Sequence, residues 1–191
     1  MPKLGMEPVR RASLVRATIA EIGRAQSLDV TVGQIAKTAG MSTALAHHYF
    51  GGKDQIFLAA MRHILSEYGA VVRASLAAAP TPLARAEAII TVSFDEICFA
   101  PATVAAWMTL YAAAPAQPQM KQLLVIYHAR LRANLTHALR PLSRAPQADA
   151  ETLAALIDGL YLRAALSDSG SSAAAKNTAL RTLHMILKEH P

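Results

Sequence analysis

Between Thr31 and Phe57 the chain reads TVGQIAKTAGMSTALAHHYFGGKDQIF, a stretch whose punctuation permits few folds. Thr31 followed three residues later by Gln34 is a capping-box pattern, in which side chain and backbone satisfy each other's orphan groups at a helix start. It predicts a helix from about Val32. Val32, Ile35 and Ala36 then make a narrow apolar stripe at helical spacing, and Gly40 supplies the left-handed residue that closes the helix and turns the chain. Ser42 caps a second short helix with Leu45 inward and Thr43, Ala44, His47 and His48 outward, ending at Tyr49-Phe50-Gly51-Gly52. Lys53-Asp54 opens a third helix, whose Ile56, Phe57 and Ala60 run on into the body of the chain. Two short helices joined by a tight glycine turn, the second with small polar residues outward, form a helix-turn-helix suited to a DNA major groove. The competing reading is an αα-hairpin that only packs.

The remainder reads as helices separated by proline and small polar residues. The first should start at Glu7-Pro8 and run to about Gln26 with Val15, Ile19 and Ile22 inward, leaving Arg10, Arg11 and Arg16 as phosphate contacts or solvated charges. Later helices are expected over 54–78, from the Thr81-Pro82 cap to about Phe99, over 101–114, 118–140, 149–168 and 172–189. Leu123, Ile126, Tyr127 and Leu131 are the candidate core of the helix after Pro118. No strand-like alternation and no internal repeat occur, so the fold class is all-α with about nine helices.

At 191 residues, 53% hydrophobic and 17% charged, the chain can bury a substantial core. No apolar run reaches the roughly 20 residues that cross a bilayer, and MPKLGMEPVRR lacks the apolar segment of a signal peptide. A soluble, cytoplasmic protein is expected. Cys98 stands alone, which suits a reducing compartment and a buried thiol. The net charge is +6, of which +3 falls in residues 1–54, a distribution that suits a polyanionic partner. No Walker loop, His-Glu-x-x-His pattern, Gly-x-Ser-x-Gly elbow or thiol beside a histidine supports an enzyme, and no cofactor is called for. His47 and His48 point about 100 degrees apart on a helix, so they do not make a metal site.

On these residues, Thr31, Ile35-Ala36, Ala39-Gly40-Met41-Ser42, Tyr49-Phe50 and Lys53, the chain resembles the TetR family of one-component repressors over residues 10–57. The resemblance implies a DNA-binding domain at 1–54 and a ligand-binding and dimerisation domain at 55–191. Ser42, Thr43, Ala44, His47 and His48 are the candidates for base edges. Tyr49 and Lys53, with Thr31 at its helix amino terminus, are the candidates for phosphates. Apolar stripes of Leu153, Leu156, Ile157 and Leu160, and of Leu180, Leu183 and Leu187, are more than one helix pair can bury. The resemblance implies that they build a four-helix homodimer interface, whose two-fold axis would match a palindromic operator.

The segments MPKLGMEPVRR, AAWMTLYAAAPAQP and AALIDGLYLRAALS resemble the branch of that family that governs choline-to-glycine-betaine genes. That implies choline, or a related quaternary ammonium, as effector. Trp107 and Tyr111 share a helix face, Phe94 lies beside Asp95, and Tyr127 and Tyr161 follow, a set able to hold such a cation over aromatic rings with a carboxylate nearby. The alternatives are that the aromatics are core, or that a different hydrophobic or cationic molecule is sensed. That branch usually carries Asn-Gly where this chain has Thr43-Ala44, a serine at His47 and a tryptophan at Tyr111, so a different operator and a reshaped cage are expected.

Overall fold

The computed structural model describes residues 5–26, 29–167 and 170–188. Within them lie nine α-helices and no strand: α1 Met6–Ala25, α2 Val32–Thr38, α3 Thr43–Phe50, α4 Lys53–Ala78, α5 Pro82–Ser93, α6 Pro101–Ala113, α7 Pro118–Leu139, α8 Pro146–Ala165 and α9 Ser172–Lys188. No single described helix is long and apolar enough to cross a membrane. Met1–Leu4 of the amino-terminal match, and the Asp168 and Glu189 helix ends, lie outside the described residues.

The helices group into two compact units. One comprises Met1–Ser66 with Ala100–Leu124, and the other Glu67–Phe99 with Val125–Pro191. The position between residues 54 and 55 falls inside the first unit, near the start of the continuous helix α4.

In the first unit α1 packs on α2 and α6, and α2 on α3. Its inward face is shifted from the expected stripe: Leu14, Ala17, Thr18, Glu21 and Ile22 are buried, whereas Val15 and Ile19 are half-buried. Two polar residues can take buried places because each is bonded. Thr18 donates to the Leu14 carbonyl at 2.8 Å, and Glu21 accepts from the Thr38 hydroxyl and pairs with Arg24 at 2.7 Å. The contact with α6 is close enough that a Cβ at Gly23 would stand 2.8 Å from the Ala102 Cβ.

In the second unit α9 packs on α8 and α5. Here α5 ends sooner than Phe99. The Phe94 N–H reaches back to the Thr91 and Val92 carbonyls, Asp95 accepts from the Ile97 N–H at 3.2 Å, and a 3₁₀ turn follows over Glu96–Phe99. Helix α8 starts three residues before the expected Asp149, because Pro146 takes the opening position where its missing N–H costs nothing. Ile126, expected in the core of α7, is 39% exposed, while Leu123 and Leu131 are buried.

Candidate nucleic-acid interface and effector site

Local chemistry fixes the α2–α3 turn. Thr31 Oγ1 accepts from the Gln34 N–H at 3.2 Å and Gln34 Oε1 accepts from the Thr31 N–H at 2.7 Å, so both halves of the capping box are present. At the other end Gly40, with φ +68°, lets the Met41 N–H reach the Ala36 carbonyl at 2.9 Å and the Gly40 N–H reach Lys37 at 3.1 Å, a Schellman closure. Ser42 Oγ then accepts from the Leu45 N–H at 3.2 Å and starts α3. Ala46 is the fully buried residue of α3, and Leu45 is only half-buried. Thr43, Ala44, His47 and His48 are exposed, as are Thr31, Ser42 and Lys53.

The exposed groups are not equally free to act. The His47 Nδ1 lies 3.0 Å from the Gly51 carbonyl. That oxygen can only accept, so Nδ1 carries the proton and Nε2 of the neutral ring is an acceptor. Tyr49 receives a hydrogen bond from Arg10 Nη1 at 3.3 Å, which leaves its own hydroxyl proton able to donate to a phosphate. The Arg11 guanidinium lies 5.6 Å from the Tyr49 ring and 5.2 Å from the half-buried Phe50 ring, and it pairs with Glu7 at 2.8 Å. Arg10 and Arg11 therefore hold α1 to the end of α3.

The expected effector residues divide between the units. In the first, Trp107 and the half-buried Tyr111 stack on α6 with ring centroids 5.8 Å apart and planes at 32°, and Trp107 is buried. In the second, Phe94 is buried and Asp95 is exposed. The buried Tyr161 lies 5.0 Å from the Phe99 ring and donates to the Cys98 carbonyl at 2.8 Å. Tyr127 donates to Asp158 Oδ1 at 3.0 Å, and its ring lies 6.2 Å from that of Tyr68.

Three polar members of this second cluster, Tyr68, Ser93 and Asp158, are absent from the sequence-derived set. Burial pushes the Asp158 carboxyl up, against the opposing pull of the Tyr127 hydrogen bond and of His128, whose Nε2 is 3.2 Å away. Burial also raises the Tyr68 phenol to about 12, with Cys98 and Asp158 adding to the rise and its bond to Ser93 opposing it. The signal that could have found Asp158 is its place as the one charged residue in LAALIDGLYL.

Of the seven expected interface leucines and isoleucines, Leu153, Ile157 and Leu183 are buried within the single chain, whereas Leu156, Leu160, Leu180 and Leu187 are only half-buried. Gly159 is exposed, with no atom within 4 Å of where a Cβ would stand.

Known proteins agree with this architecture. Residues 14–60 match the model of bacterial regulatory proteins of the tetR family, and residues 82–188 match that of the BetI-type transcriptional repressor carboxy-terminal region. The HTH-type transcriptional regulator BetI of Brucella melitensis biotype 2 is 51% identical over 176 residues, covering 91% of this chain and 89% of the relative. That of Rhizobium meliloti is 49% identical over 171 residues, covering 88% and 84%. Among solved structures, a TetR transcription regulator from Haloarcula marismortui superposes with a TM-score of 0.81 at 19% identity, covering 96% of this chain and 98% of its own. A Saccharomonospora viridis protein crystallised in complex with choline does so with a TM-score of 0.81 at 18% identity, covering 91% and 95%. The chain is a transcriptional regulator, not an enzyme, and belongs to the TetR family as a BetI-type repressor.

Proposed function

We propose that the protein binds a palindromic operator as a homodimer and is released from it by choline or a related quaternary ammonium, controlling choline-to-glycine-betaine genes. The observation that carries this reading is the half identity with BetI regulators across nine-tenths of the chain, head and body alike. Thr43, Ala44 and His47 supply base-edge contacts from one face of α3, with Ser42 and His48 at its margins. Thr31, Tyr49 and Lys53 hold phosphates. The half-buried leucines of α8 and α9, with the open surface at Gly159, support pairing of these helices with their copies.

The effector acts only through a difference in affinity between the DNA-binding and released conformations, worth about 1–3 kcal/mol. The candidate effector residues are Trp107 and Tyr111 in the first unit and Phe94, Asp95, Tyr127 and Tyr161 in the second, each set taken by itself. Helix α6 packs on α1 within the unit that holds the helix-turn-helix, which supports α6 as an element that feels the ligand.

Fluorescence anisotropy of a labelled fragment from upstream of the gene, at stated salt and with choline titrated in, tests the reading. Competitor-resistant binding that choline weakens is the expected result, and a Trp107→Ala protein should bind the fragment normally yet resist release. Specific binding indifferent to choline would discard this effector, and ordinary release from the Trp107 variant would remove that residue from the site.

A further inference from the structure

Asp158 is a half-buried acid whose one charged neighbour is a histidine, a countercharge only when protonated. Its side chain is 22% exposed, and its partners are the Tyr127 hydroxyl at 3.0 Å and the His128 Nε2 at 3.2 Å; no Lys or Arg pairs with it among the described residues. Elsewhere in the second unit Glu151 pairs with Arg132 at 3.0 Å and Glu87 with His184 at 3.0 Å, both more exposed than Asp158. Removing a carboxylate from water is costly, and here burial outweighs the Tyr127 hydrogen bond and the charge and hydrogen bond of His128 in setting where the group titrates. A fold retains such a group at the expense of stability, and sites built for ligands are where that occurs.

The neighbours have a matching character. Tyr68 packs against Tyr127 at 6.2 Å with planes at 58°. The Ser93 hydroxyl donates to the Ile89 carbonyl at 2.9 Å, so in the 3.0 Å contact between Tyr68 and Ser93 the phenol is the donor. The Tyr68 proton is therefore engaged away from Asp158, and the ring remains as an aromatic surface in the cluster that holds a carboxylate with no Lys or Arg partner among the described residues. A quaternary ammonium donates no hydrogen bond, so ring faces and a desolvated carboxylate are the means of recognising it.

We propose that Asp158 is the counter-charge of a cation site in the second unit, with Tyr68 and Tyr127 as its aromatic walls and a quaternary ammonium as its ligand. This rests on the effector reading above in that choline is the first cation to be tried. It moves the carboxylate of the site from exposed Asp95 to Asp158, on α8.

The test is calorimetric titration of the whole protein with choline, with tetramethylammonium and with 3,3-dimethylbutan-1-ol, the uncharged isostere of choline. Wild type should prefer choline to the alcohol by about ten-fold or more, as one partly screened ion pair requires. Asp158→Asn keeps an acceptor for the Tyr127 hydroxyl. It should weaken choline by a similar factor, leave the alcohol unchanged and melt no lower than wild type. Tyr68→Leu should weaken both cations. A variant at 158 that keeps the full preference for choline overturns the site, and so does one that melts lower and loses choline and alcohol alike, the mark of a purely structural carboxylate. Wild type that ignores choline but takes tetramethylammonium through Asp158 removes choline as effector and supports the site. Wild type that binds neither cation overturns both.

Discussion

The contact between α1 and α6 can be weighed by a double-mutant cycle. An alanine at Gly23 would put its Cβ 2.8 Å from the Ala102 Cβ and 3.3 Å from the Ala102 Cα, where carbon atoms ordinarily approach to about 3.5–4.0 Å. The helices must part by something near 1 Å, and overpacking of this kind costs about 1–3 kcal/mol. Alanine in place of glycine inside a helix returns up to about 1 kcal/mol, so Gly23→Ala should destabilise by about 0–3 kcal/mol. Ala102→Gly alone loses about 1 kcal/mol of helix propensity. The double variant removes the 2.8 Å collision and leaves the milder 3.3 Å approach to the residue-102 Cα, while the propensity changes offset each other, so it should lie closer to wild type than the singles add up to. Urea unfolding followed by circular dichroism, at one protein concentration, gives the four free energies. The double variant should exceed the sum of the singles by about 1 kcal/mol or more. Additivity within about 0.5 kcal/mol would refute the close approach.

Cys98 should be inert in the native protein. Burial, with Asp95 adding to it, raises the thiol from 9.0 to about 12, so almost no thiolate exists at pH 8, and alkylation by iodoacetamide should proceed only on unfolding. Because the folded pKa lies above the unfolded one, stability should also fall as pH rises from about 9 towards 12. Gly159→Trp should convert the protein to a monomer in sedimentation equilibrium, with helicity intact and operator binding lost; a dimer that persists would place the interface elsewhere. His47→Ala should relax selection at one base pair by about 1–3 kcal/mol in a selection from random DNA, at a position where adenine or cytosine offers an amino group to Nε2. An unchanged consensus would show that His47 only closes α3.

What could be read from the chain in advance was what short-range chemistry decides. The caps at Thr31, Ser42 and Thr81 and the turn at Gly40 depend on residues no more than five positions apart, and each is present with its hydrogen bond. On α1 the expected Ile22 is buried, but periodicity ranks side chains by polarity and so passes over the buried Thr18 and Glu21. Thr18 and Glu21 are buried once Leu14, Thr38 and Arg24 supply partners, and the Thr38 bond joins residues seventeen apart. The same blindness hid Tyr68 and Asp158. Their partners, Ser93 and Tyr127, lie 25 and 31 residues away, and only packing brings them together. Asp95 drew notice for its place beside Phe94, but its carboxylate is used locally on Ile97 and stays exposed.

Within the first unit α6 packs on α1, α1 on α2 and α2 on α3, the proposed DNA-reading helix, and one of these contacts can be cut at a residue assigned to neither DNA nor ligand. Gly23 and Ala102 bring the α1 and α6 backbones so close that no side-chain adjustment can absorb a shift of α6. Further along α1, Glu21 is buried and accepts from Thr38 at the last turn of α2, directly before the Gly40 closure that sets the start of α3. Thr38→Val preserves the shape and removes the donor, leaving Glu21 to Arg24 alone, at a cost of about 1–3 kcal/mol for a buried acceptor deprived of a partner. Thr38 is not among the residues assigned to bases, phosphates or ligand, so intrinsic choline affinity should be unchanged in calorimetry. What should fall is the coupling, the ratio of operator affinities with and without choline, because α2 and α3 no longer follow α1 as one body. If Thr38→Val lowers stability as expected yet keeps the full ratio, the signal reaches α3 by another route and the Glu21–Thr38 bond serves the fold alone.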